Sequence, residues 1–164
     1  MSADPAFVSA ARTSGAAAFE RLGGLPSTRQ EAWRWTNVQP ISRIPFEAPA
    51  AVNGSVDLSG LELGTMRLVF IDGRLSPHLS VLPETSAGVR LRSLLGADPA
   101  TVEALLGQTA KVDEHPFTAL NAAHLADGAV LEVDADVQAP SPIELVFVSR
   151  GISPGSTHPR VLVR

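Results

Sequence analysis

Apolar and polar positions along the chain change their period sharply near residue 128. Through His115-Pro116-Phe117-Thr118-Ala119-Leu120-Asn121-Ala122-Ala123-His124-Leu125, apolar side chains recur at i, i+3 and i+4. Phe117, Leu120, Ala123 or His124, and Leu125 form that stripe, which predicts a short helix. Pro116 suits the first helical position, where a missing N–H is no loss. Gly128 is expected as a left-handed residue closing the helix. Beyond it the period becomes two. Leu131, Val133, Ala135 and Val137 face one way, and Glu132, Asp134, Asp136 and Gln138 the other, as in a half-buried strand. Ile143, Leu145 and Phe147 then alternate with Glu144, Val146 and Val148, and Val161-Leu162-Val163 is a third extended piece. Mixed helix and strand before the junction, with strands alone after it, predicts two regions, 1–127 and 128–164.

In the first region, Phe7, Val8, Ala11, Ala18, Phe19 and Leu22 share a helical face that ends at Gly23-Gly24. Gly15 interrupts that stripe, at an expected cost of about 1 kcal/mol relative to alanine. Ser27 with Gln30, or Thr28 with Glu31, reads as a capping box opening a compact helix that bears Trp33 and Trp35. Two residues apart, the tryptophans diverge on a helix and form no shared aromatic slot. One is expected in the core and the other half-exposed. Residues 37–66, with Pro40, Pro45, Pro49, Gly54, Gly60 and Gly64, read as an irregular connector. Met66 to Ile71 reads as a strand, Asp72-Gly73 as a two-residue hairpin turn, and Arg74 to Ser76 as the return, ended by Pro77. Val89 to Arg92 is a further short strand. Asp98 as N-cap and Pro99 as first residue predict a helix to Leu106, closed by Gly107.

Composition narrows the chemistry. The 164 residues suit one ordinary domain or two small ones. The net charge of −4 argues against general binding to nucleic acid or anionic membranes. It is uneven: residues 1–44 hold Arg12, Arg21, Arg29, Arg34 and Arg43 against Asp4, Glu20 and Glu31, hence +2, leaving −6 for the rest. Without cysteine the chain can form no disulfide, thiolate nucleophile or thiolate metal site of its own. No apolar run approaches the roughly 20 residues of a membrane span, and the N-terminus lacks a signal-peptide pattern, so a cytoplasmic protein is expected.

Searching for reactive groups turns up little. His115 and His124 are nine positions apart, about 900° around a helix, and so lie on opposite faces. His115 is then a capping or packing residue. Ser76, Ser80 and Ser86, near His78, lie in turn-like surroundings with no nucleophile elbow. Asp134 and Asp136 form a solvated strand face, and no phosphate-binding glycine loop is present. On these residues the segment reads as non-catalytic, with no metal or cofactor site.

Four stretches together resemble the SufD-type subunits of the Suf iron–sulfur cluster assembly machinery. They are Gly24-Leu25-Pro26 through Glu31, Trp33 and Thr36; Leu68 through Asp72-Gly73 to Ser80; His115-Pro116-Phe117-Thr118-Ala119-Leu120-Asn121; and Pro142-Ile143-Glu144-Leu145. The third is the most specific. The resemblance implies an α+β fold, in which an N-terminal helical and mixed α/β module leads into the first rungs of a right-handed parallel β-helix. It also implies a scaffold that works with a SufB-like subunit and a SufC-like ABC ATPase, the iron–sulfur cluster belonging to the whole complex. Glu31, Trp33, Asp72, Gly73, His115, Pro116, Phe117, Leu120 and Asn121 are the motif positions, expected to be structural.

The apolar strand at Val161 to Arg164 suggests the N-terminal portion of a longer molecule, and its open edge suggests self-association. The competing expectations are a β-helical enzyme, such as an acyltransferase or carbohydrate-active protein with its site in further rungs, and a plain protein–protein interaction domain. The one histidine after residue 128, His158, has no partner at a fixed spacing.

Overall fold

Two small sheets face each other, and helices cover the outer side of one of them. The computed structural model describes residues 4–47, 56–61, 66–82, 88–151 and 154–164. Pro49, Gly54 and Gly64 of the connector, and Ser86, lie outside them. The first sheet has the order β2-β1-β5, from β1 (Arg67–Ile71), β2 (Arg74–Leu75) and β5 (Glu144–Val148). The second has the order β3-β4-β6, from β3 (Val89–Ser93), β4 (Gly128–Val133) and β6 (Arg160–Val163). Each sheet joins an antiparallel pair (β1 with β2, β3 with β4) to a parallel one (β1 with β5, β4 with β6). The chain is thus mixed α+β, and strands from both sides of residue 128 share each sheet.

Alternation along β4 explains the layering. Ala129 joins Met66, Leu68, Phe70, Val89 and Leu91 in the core between the sheets, with Leu131, Val133 and Leu145 packed against it. Val130 points the other way, into a second core with Phe7, Val8, Leu94, Val102, Leu125 and Leu162. The start of β4 is therefore buried on both faces, unlike the half-buried strand its polar alternation predicts. That alternation does not run on to Gln138: β4 ends at Val133, and Asp136 takes a positive φ of 62° in the following turn.

The helices follow local signals in most places. α1 (Ala6–Arg21) buries Phe7, Val8, Gly15 and Ala18 and ends before Gly23-Gly24. α3 (Pro99–Leu105) is capped by Asp98, whose carboxylate accepts the Thr101 N–H at 3.2 Å. α4 (Pro116–Ala123) begins at Pro116, as predicted. Two expectations fail. The compact helix carrying both tryptophans is only a single tight turn, Glu31–Trp33, and Ser27 engages the chain through Arg29 N–H rather than as a capping box. Ser27 to Trp35 lacks a stripe long enough to bury, and a turn that short gains little from propensity. After it comes a one-turn helix, α2 (Gln39–Ser42). Gly128 does not close α4 either. The helix ends at His124, with φ −116°, and Gly128 opens β4.

Two of the buried glycines, Gly15 and Gly128, mark backbone contact. At Gly15 a Cβ would lie 2.4 Å from Ala123 N and 2.7 Å from Ala119 O, so α1 and α4 cross backbone to backbone there. At Gly128 a Cβ would lie 1.8 Å from Arg160 O, so β6 closes onto β4 only because no side chain intervenes. The break that Gly15 makes in the apolar stripe is thus the crossing point itself.

Candidate functional site

The motif positions are far apart in sequence, yet several of them converge on residues 148–151 and 154–160, between β5 in one sheet and β6 in the other. The grip starts at the β1–β2 turn. Asp72 and Gly73 both have positive φ, 47° and 79°, which suits the tight hairpin predicted there. Asp72 N–H donates to Val148 O at 2.8 Å, extending the parallel ladder by one step. Its carboxylate accepts from Arg150 twice, from the backbone N–H at 3.0 Å and from Nε at 2.7 Å. The Arg150 N–H, above all, holds the Asp72 carboxyl below its ordinary value; burial opposes this, and the Arg150 side chain adds to it. Gly73 packs beside Thr157, where a Cβ would come within 3.3 Å of the threonine Cβ.

α4 provides the second grip. Asn121 Nδ2 donates to Pro159 O and Asn121 Oδ1 accepts from Arg160 Nε, each at 3.0 Å. One turn on, the His124 ring lies 5.1 Å from that of His158, centroid to centroid. His158 Nε2 is 3.0 Å from Ser156 Oγ. Burial lowers the proton affinity of His158, and the neighbouring His124 lowers it further. Positions 121 and 124 share a helix face, and 158 and 160 share a side of extended chain, so two side-chain pairs stand next to each other. Arg160 N–H also donates to Asp127 O at 3.3 Å.

Asp127 closes the site. It is 5% exposed, and Oδ1 accepts from Gly128 N–H at 2.8 Å and Leu95 N–H at 3.2 Å. Burial pushes its carboxyl above the ordinary value, against the pull of those backbone donors.

The other motif positions pack or cap. Trp33 is half-buried, 5.3 Å from Phe117 with the rings tilted by 46°, so this pair ties the Glu31–Trp33 turn to the first turn of α4. Trp35 is 89% exposed under the Arg34 guanidinium, so neither tryptophan is a core residue. Glu31 and His115 are exposed. The His115 side chain caps nothing; its backbone oxygen accepts the Ala119 N–H at 3.0 Å. Pro116 holds the first turn of α4, and Leu120 is half-buried on the same helix.

Arg150, Arg160, Asp127 and the His124–His158 pair belong to this site and went unrecognised in the sequence. Only the spacing of 121 with 124, and of 158 with 160, hinted at shared faces. Nothing local says that those two faces meet. Among the described residues no group of three or more His, Asp or Glu side chains is placed to hold a metal ion, and no helix is long and apolar enough to cross a membrane. What the arrangement does is mechanical: it fixes the path between the two sheets.

Compared with known proteins, residues 2–145 match the family described as the SufBD protein N-terminal region. A protein of Synechocystis sp., described as an iron–sulfur cluster assembly SufBD family protein, is 32% identical over 149 residues. The match covers 85% of this chain but only 32% of that relative, so the chain spans about a third of its length.

Proposed function

The chain belongs to the SufBD family, to whose N-terminal region it corresponds, and on that premise we propose that it is the N-terminal module of a SufD-type, non-catalytic scaffold subunit in iron–sulfur cluster assembly. The observation that carries this reading is the double grip on the two ends of the connection from β5 to β6, in which Asp72 holds Arg150 and Asn121 holds Pro159 and Arg160. Two family-motif side chains, Asp72 and Asn121, thus direct the chain from sheet to sheet, which suits a scaffold.

Successive strands β4, β5 and β6 alternate between the sheets, with β6 returning parallel to β4. We read this as the opening turn of a right-handed parallel β-helix, with residues 1–127 as the module that precedes it. The likeness of the Gly24–Thr36 stretch to SufD-type sequences favours that subunit over SufB. In this reading the cluster is cargo of a cytoplasmic complex that also contains a SufB-like subunit and a SufC-like ABC ATPase. A chain without cysteine offers no thiolate to hold the cluster by itself.

Co-expression of the full-length protein with candidate SufB-like and SufC-like subunits, followed by affinity purification, tests the reading. A stable complex containing the ATPase is expected, and the present segment alone is expected to hydrolyse no ATP and to retain no stoichiometric iron. Purification of the full-length protein free of both subunits would overturn the assignment.

A further inference from the structure

A cleft of about 410 Å3 opens between α1, the segment after α3, and α4. Of the residues that line it, Arg160 alone also belongs to the grip on the connecting segment. Its room comes from side chains that end at Cβ: Ala10 on α1, Ala110 on the connection and Ala122 on α4 all line it. The lining is mostly apolar, yet Arg160 reaches it from the start of β6.

Arg160 is the informative group. It is half-buried, and Nε donates to the neutral Asn121. Among the described residues no carboxylate pairs with its guanidinium. Glu103 lines the same cleft without forming an ion pair to it. Burial disfavours the charged form of Arg160. A cation partly withdrawn from water without a counter-ion is costly, and an entering anion relieves that cost. The guanidinium fork matches a carboxylate better than it matches a hydroxyl or an amide. The volume falls within the roughly 300–1,000 Å3 typical of small-molecule sites.

We propose that this cleft binds a small apolar carboxylate, with its hydrocarbon body against the alanine walls and its carboxylate on Arg160. The head group gives orientation and the walls give affinity. The proposal does not need the scaffold assignment to hold, although Arg160 also pairs with Gly128 in the sheet and its Nε also holds Asn121.

Titration of the 164-residue chain with octanoate, octan-1-ol and octylammonium, followed by amide NMR, tests it. Saturable shifts confined to α1, residues 106–112, α4 and Arg160 are expected for octanoate, with the alcohol and the amine binding about tenfold or more weakly. Arg160→Gln should weaken octanoate by a similar factor and leave the alcohol unchanged. Ala110→Leu, at an exposed position, should fill the cleft and weaken all three ligands while the spectrum remains that of a folded chain. Equal binding of the three ligands, undiminished octanoate binding by Arg160→Gln, or no saturable shift at millimolar octanoate would each overturn the proposal.

Discussion

At Gly15, helix propensity and packing pull in opposite directions. Propensity alone makes Gly15→Ala stabilising by about 1 kcal/mol. The crossing with α4 leaves a new Cβ 2.4 Å from Ala123 N, a backbone atom that cannot step aside. Packing should win, with a loss of about 1–3 kcal/mol by overpacking, read as a lower urea midpoint. His158 offers a different test. Its proton affinity is lowered in the folded state, so between its folded pKa and the ordinary 6.5 the unfolded chain binds more protons. Stability should therefore rise with pH through that window and level off above it. His158→Asn should flatten this part of the stability–pH profile; an unchanged slope would show that His158 is not its source. Asp127 carries the reverse sign, since its raised pKa makes the buried carboxylate less favourable as pH climbs past the ordinary carboxyl range.

Single substitutions can also separate strands. Asp72→Asn keeps a residue tolerant of the positive φ but removes the charge from the bonds to Arg150. A cost of about 1.5–3 kcal/mol is expected, with faster hydrogen exchange at the Arg150 amide. Gly128→Ala should act on β6, because its Cβ would collide with Arg160 O. The amides of Arg160 and Arg164, bonded to Asp127 O and Leu131 O, should then lose protection while β1 and β5 keep theirs. The same elements show how far sequence can be read. The Asp72-Gly73 hairpin, the Asp98–Pro99 start of α3 and the Pro116 start of α4 are all set by neighbours within a few residues, and all three are found as predicted. The tryptophan-bearing helix failed because a capping pattern was present without an apolar stripe to bury. Gly128 was misplaced because a glycine after a helical run looks the same whether it ends the helix or admits another strand.

Across the whole molecule, pairing joins what the change in hydrophobic period separates. β5 lies beside β1, and β6 beside β4. Both sheets therefore draw on residues from each side of position 128, and unfolding followed by tryptophan fluorescence and by far-UV circular dichroism should give coincident transitions. Two resolved transitions would instead favour 1–127 and 128–164 as separate folding units. The outer edges of β5 and β6 have no strand partner among the described residues, and Phe147, Val161 and Val163 are exposed along them. Self-association of the isolated segment through these edges, seen as a concentration-dependent mass in light scattering, is the expected behaviour.

Sequence alone determined most of the strands and helices, the Asp72-Gly73 turn, the Asp98 cap and the lack of any thiolate chemistry in this chain, because these depend on residue type and on spacings of a few positions. It also carried the motifs by which the family can be recognised. Only the tertiary structure decided which strands pair, that Gly15 and Gly128 are points of backbone contact, and that Asp72 and Asn121 hold one connecting segment between them. Those facts depend on distances between residues many positions apart, and hydrophobic periodicity, being local, carries no record of such distances.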